Sequence, residues 1–294
     1  MTGSSPIPDG FPAALTGRIQ AIVDATLSLV PRIARLPDML DTQLLHGEAS
    51  ALLRALQDMH HAVGGAEPET PASLWRRTWP FRSKQSATLL RDRLDEALRT
   101  EAPLASHVQA LRASHAAQQQ AAQHSLARLE RTRAEIDPRV RQAQDLLAEL
   151  WDTLRPQRPD PEDQESLHLL RMLLADVDRQ RVALQRLEGL CVAAADAGRF
   201  GQLVLAGREV VLELLGDAFD AAWRDWRGKV EPLARADRGA QDVLEGSEQA
   251  IVARAALLRD IDKVRIACTR LQIDEQAFAQ ALVHLREQLA PFAQ

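Results

Sequence analysis

Residues 90–136 read LRDRLDEALRTEAPLASHVQALRASHAAQQQAAQHSLARLERTRAEI, and this stretch decides the fold. Stepping alternately by four and three lands on Leu90, Leu94, Ala97, Glu101, Leu104, Val108, Leu111, His115, Gln118, Ala122, Ser125, Leu129, Thr132 and Ile136. The seam recurs about every 3.5 residues, the period at which helices supercoil on a neighbour. Its middle, R-A-S-H-A-A-Q-Q-Q-A-A-Q-H-S, offers small and polar seam residues. Helices can approach closely there, but little apolar surface is buried. His115 falls in the seam, where a polar residue can set register. Pro103 predicts a kink or break, because proline lacks a donor and crowds the preceding turn. Asp137-Pro138 predicts the end of the helix.

Working outward, the same periodicity continues on both sides. Upstream, Phe11 to Leu15, Ile19, Ile22, Val23, Leu27 and Val30 mark a helix that Pro31 and Pro37 interrupt. Asp38 can cap the next one, lined by Leu40, Leu44, Leu45, Leu52, Leu53, Leu56 and Met59 and ending at Gly64-Gly65. Downstream, Val140, Leu146, Leu147, Leu150 and Trp151 predict a shorter helix before the proline-rich R-P-Q-R-P-D-P-E-D. Helix returns over 164–197, with a break near Phe200 predicted from Gly198 and Gly201. Another runs from Val204 to Trp223 and Trp226, Pro232 interrupts, and a last long helix covers Ala240 to Leu289. The expectation is five to seven helices in an all-α, elongated antiparallel bundle with long coiled-coil-like helices. Its parts are a tail at 1–10, N-terminal helices at 11–70, a basic-aromatic hinge at 71–85 and the long-helix bundle at 86–292.

Composition agrees. Of 294 residues, 46% are hydrophobic, mostly Ala and Leu, and aromatics are only 4% with no Tyr, a balance that disfavours strands. A net charge of −5 argues against a general nucleic-acid binder. Cys191 and Cys268 lie on apolar helical stretches and read as small buried hydrophobes in a reducing compartment. No run of about 18 apolar residues is present, so no transmembrane helix is expected. The opening M-T-G-S-S-P-I-P-D-G lacks the pattern of a secretory signal. The expected location is cytoplasmic, with a membrane-peripheral position open.

The residues exclude most chemistry. His60 and His61 are adjacent and point to different helix faces, so they cannot both ligate one ion. Glu165 and His168 have the E-x-x-H spacing of di-iron bundles, but no second E-x-x-H occurs. H-E-x-x-H, C-x-x-C, G-x-S-x-G and nucleotide-binding glycine loops are all missing. The expectation is a non-enzymatic protein without catalytic residues, metal or cofactor. A metal-dependent helical-bundle enzyme using Glu165 and His168 stands as a third-ranked reading.

One stretch survives this screening: L-W-R-R-T-W-P-F-R-S-K, residues 74–84. Between Glu69 and Asp92 there is no acid, while Arg76, Arg77, Arg82, Lys84 and Arg91 supply five cations. Trp75, Trp79 and Phe81 interleave with them. Indole suits the headgroup level of a bilayer, and each cation near an anionic surface contributes about 1 kcal/mol. Trp75, Arg76, Arg77, Trp79, Phe81, Arg82 and Lys84 are therefore the candidate partner- or membrane-contact residues. The alternative is that Trp75 and Trp79, four apart, fill a gap between helices and Pro80 ends their turn.

This layout resembles the toxic-anion (tellurite) resistance family, the TelA/KlaA-like proteins. In that family a helical N-terminal part precedes a basic-aromatic hinge and a long helix. W-R-R-T-W-P-F-R-S-K followed by S-A-T-L-L-R-D-R-L-D-E-A-L occupies the equivalent places here. L-L-A-D-V-D-R-Q-R-V-A-L-Q, residues 173–185, is similar to a family stretch ending in L-Q, and A-A-W-R-D-W at 221–226 resembles its downstream tryptophan. The family's asparagine-rich segment has no counterpart; A-A-A-D-A-G-R-F stands near that place. The resemblance implies a cytoplasmic or membrane-peripheral role in tolerance of tellurite and other toxic agents. The expected partners are a protein and, weakly, an anionic membrane, with no nucleic acid. The runner-up is a coiled-coil scaffold or adaptor unrelated to stress, forming a homodimer through residues 90–136.

Overall fold

The seam of residues 90–136 lies inside one helix of 74 residues. A computed structural model describes residues 11–45, 47–65, 81–154, 164–235 and 240–293. These form α1 (Phe11–Leu27), α2 (Pro31–Ala34), α3 (Leu36–Leu44), α4 (Glu48–Gly65), α5 (Phe81–Leu154), α6 (Gln164–Leu214), α7 (Asp217–Arg235) and α8 (Ala240–Leu289), closed by a 3-10 turn at Ala290–Phe292. No strand occurs among the described residues. The protein is an all-α helical bundle.

Leu94, Ala97, Leu104, Val108, Leu111, His115, Ala122, Ser125, Leu129, Thr132 and Ile136 are buried, with Glu101 and Gln118 half-buried. The stripe continues through Val140, Ala143, Leu150 and Leu154. The chain's own helices cover this stripe.

Two expected breaks are absent and one falls slightly later: α5 passes through Pro103 and Pro138, while α7 contains Pro232 and ends three residues beyond it at Arg235. All three prolines are exposed. On a solvent-facing side the carbonyl freed one turn earlier can be hydrated, and helices already curve convex toward water. Buried neighbours Leu104, Val108, Ile136 and Val140 contribute about 1.5–3 kcal/mol each, which offsets the roughly 3 kcal/mol that an interior proline costs.

α6 likewise runs through Gly198 and Gly201 to Leu214, and the break falls at Leu215-Gly216 instead. Gly201 serves close packing, not a turn. A Cβ there would lie 2.6 Å from Leu126 Cδ2 and 3.1 Å from Phe278 Cε2. In the N-terminal part the sequence predicts one helix from Asp38 to Gly64. The structure divides it between Leu44 and Glu48, where Gly47 takes a left-handed φ of 67°.

Two compact units result, and α5, α6 and α8 each contribute a segment to both. The first comprises Met1–Gln43, Ala122–Gly201 and Phe278–Gln294. Its core includes Ile19, Ile33, Leu36, Leu40, Leu129, Ile136, Leu187 and Phe278. Gln144 bonds to Glu188, while Gly201 packs on Leu126, so α5 and α6 run antiparallel there. Arg286 of α8 joins Asp38 and Asp41 of α3.

The second unit comprises Leu44–Ala121 and Gln202–Ala277. Leu52, Leu56, Met59, Leu111, Val211, Trp226, Leu257 and Leu271 are among its core residues. Ser50, His60 and Val63 of α4 meet Gln272, Asp262 and Arg254 of α8 in reverse order, so these helices are antiparallel.

Gly198 and Gly201 of α6 predict opposite outcomes. Gly201→Ala is expected to destabilise by about 1–3 kcal/mol, because the buried Leu126 and Phe278 have little room to yield. Gly198→Ala meets open space and is expected to stabilise by up to about 1 kcal/mol. Urea denaturation of the two variants checks the contrast, and equal effects would overturn it.

Candidate functional site

The sequence candidates fall at the start of α5 and just before it. Trp75, Arg76, Arg77 and Trp79 lie outside the described residues. Phe81, Arg82 and Lys84 are helical backbone at the start of α5; their side chains lie outside the described set. The first turn of α5 contains no acid.

Glu165 and His168 are both exposed near the start of α6. Among the described residues, no group of three His, Cys, Asp or Glu side chains is placed to hold a metal ion. The rings of His60 and His61 stand at 84° to one another, and His60 Nε2 lies 3.4 Å from Asp262 of α8. Histidine in the seam behaves differently. His115 is nearly buried, with Nε2 4.0 Å from Glu209 and Nδ1 buried without a hydrogen bond among the described residues. Burial lowers its pKa; Glu209 opposes this and Arg208 reinforces it.

Sequence reasoning missed the polar groups that organise the second unit. Arg208 is 1% exposed, on a helix otherwise read as apolar. Its guanidinium donates to the carbonyl of Leu44 at 2.7 Å, the last residue of α3, and lies 3.5 Å from the Glu275 carboxylate. Arg254 of α8 donates to the carbonyls of Val63, at 3.0 Å, and Gly64, the end of α4. Arg112 of α5 donates to the carbonyl of Leu215 at 3.0 Å, just beyond α6. Three helix C-termini, where carbonyls lack helical partners and the dipole is negative, are each met by an arginine from another helix. No local signal marks these arginines, since cap and donor are distant in sequence.

Trp223 and Trp226 form a buried pair on α7, with centroids 5.3 Å apart. They lie on the amphipathic helix and face the core. Cys191 and Cys268 are buried as expected, and burial pushes their thiols up to about 11 and about 12. A thiol so raised stays protonated and unreactive at neutral pH. Among the described residues, no helix is long and apolar enough to cross a membrane.

In comparisons with known proteins, no family model, no curated protein and no solved structure matches this chain.

Arg208→Ala would leave Glu275 and the Leu44 carbonyl without this buried partner, and is expected to destabilise by about 3–5 kcal/mol. Arg208→Lys should rescue only part, because its ammonium ends one bond short of the single terminal guanidinium nitrogen that reaches both Leu44 and Glu275. Denaturant midpoints measure both, and a loss below about 1 kcal/mol for the alanine variant would exclude the clamp.

His115 supplies a pH test. Its folded pKa is lowered, so the unfolded chain binds the proton more tightly. Stability from this group is full above the unfolded value of about 6.5 and declines as pH falls below it. Urea midpoints from about pH 7.5 down to about pH 5.5 should fall more steeply for wild type than for His115→Gln. Parallel profiles would rule out the assignment.

Proposed function

We propose that this chain is a non-enzymatic helical protein of the toxic-anion (tellurite) resistance kind. It acts in stress tolerance by contact with a protein partner or an anionic membrane surface, and uses no cofactor. The observation that carries the reading is electrostatic. A helix N-terminus bears about half a positive charge and favours Asp or Glu in its first turn. α5 has no acid in that turn, and the sequence places Arg82 and Lys84 there.

Cations at that end destabilise an isolated helix start by roughly 0.3–1 kcal/mol each, and an anionic partner reverses the sign. Together with Arg76 and Arg77 they form a run whose charge opposes local folding and suits a negative surface. Trp75, Trp79 and Phe81 supply rings that fit the same interface. The sequence order of a basic-aromatic stretch followed by a long helix supports the family resemblance.

Co-sedimentation with vesicles containing anionic lipid at low salt tests the contact. Wild type should pellet, and the triple variant Arg76→Ser, Arg77→Ser, Arg82→Ser should pellet less at unchanged helix content. Wild type left in the supernatant would sink the membrane arm. For the physiological arm, cells carrying the chain should outgrow cells lacking it in tellurite, and equal growth would end the resistance reading.

A further inference from the structure

A groove of about 690 Å³ opens within the second unit, between α4 and α5. Ala51 and Ala55 of α4 and Thr100 and Pro103 of α5 leave the space, since each is small where Leu52 and Leu56 nearby are large and buried. Around it stand Arg54, Asp58 and His61 from α4 and Glu96, Arg99 and His107 from α5. The volume falls within the range of small-ligand sites.

The state of these side chains is informative. Arg54 and Asp58 are four apart on one helix, the spacing of a helical ion pair, yet they do not pair; Arg54 Nε turns to the Ser50 carbonyl at 3.4 Å. Glu96 and Arg99 are three apart, yet Glu96 takes Arg93 at 2.7 Å instead. Arg99 and His107 make no hydrogen bond or ion pair among the described residues, and the His61 ring stands edge-on to that of His60. With Glu96 paired to Arg93, two guanidiniums and two imidazoles line the groove beside one further carboxylate, Asp58.

We propose that this groove binds a small, multiply charged organic anion, a phosphate ester or polycarboxylate. Arg54 and Arg99 engage it with forked hydrogen bonds from the two walls, as arginine does with planar or tetrahedral oxyanions. His61 and His107 add donors, and Asp58 accepts a hydroxyl or amine of the same ligand. None of the residues lining this groove belongs to the basic-aromatic stretch, and the site does not rest on the proposed membrane or partner contact.

Calorimetric titration of the full chain with inorganic pyrophosphate and with citrate tests the site. Saturable one-to-one binding of at least one probe is expected. Arg54→Ala and Arg99→Ala should each weaken it by about tenfold or more, the factor associated with a charge-assisted hydrogen bond. Ala51→Leu keeps every charge and fills the groove, so it should abolish binding while thermal unfolding stays close to wild type. The triple variant Arg76→Ser, Arg77→Ser, Arg82→Ser should bind as wild type does. No saturable binding of either probe, binding that survives Ala51→Leu, or binding lost in the triple variant would each overturn the proposal.

Discussion

A helix that stops leaves up to four carbonyls without partners, and in this protein arginines from distant helices meet three such ends. Arg208 holds Leu44, Arg254 holds Val63 and Gly64, and Arg112 holds Leu215. Each bond satisfies an acceptor and places a cation at the negative end of a helix dipole. Arginine suits this position better than lysine because its fork reaches two acceptors and it is less strongly hydrated. Arg208 is the most demanding case: at 1% exposure its charge is tolerable only with Leu44 and Glu275 as partners. The termini of α3, α4 and α6 are thus held by residues on the helices they pack against.

Between these ends, helix continuity is decided by which face is buried. Pro103, Pro138 and Pro232 are helix breakers by local chemistry, yet each sits on an exposed surface while buried side chains hold the same turns on the opposite side. Propensity is a prior that packing overrides, here by several side chains against one missing hydrogen bond. Gly198 and Gly201 make the converse point. Glycine read as freedom to break is, at Gly201, the lack of a Cβ that lets Leu126 and Phe278 close on α6.

These cases explain what was legible. The all-α class, the seam from Leu94 to Ile136 and the span of α8 follow from periodicity, because burial on one helix face leaves a direct pattern in residue order. The division of the predicted Asp38–Gly64 helix at Leu44–Glu48 had a local mark in Gly47, but the arginine that meets the freed Leu44 carbonyl, Arg208, lies 164 positions away and was not legible. The polar side chains that matter most were equally hidden. Arg208 looks like one more helical cation until its helix is packed, and the groove residues gain meaning only when α4 and α5 lie side by side. His115 was readable, since its place in the heptads already puts it inside.

Charge is mostly internal to single helices: Arg133 with Glu130, Arg141 with Asp137, Lys229 with Asp225 and Lys263 with Asp260. Each such pair is worth only about 0.2–0.5 kcal/mol, so they mark a solvated surface more than a stabilising network. Two groups of charged side chains underlie the proposed contacts. In the groove, Arg54 and Asp58 have the spacing to pair and do not; residues 74–84 contain no acid. The first is a concavity built by two helices, able to select a small ligand by the direction of its donors. The second is a linear run of cations and rings, able to recognise a surface by charge density alone and screened within about a Debye length. The physical difference between the two is the difference between the ligand site and the docking edge proposed for this chain.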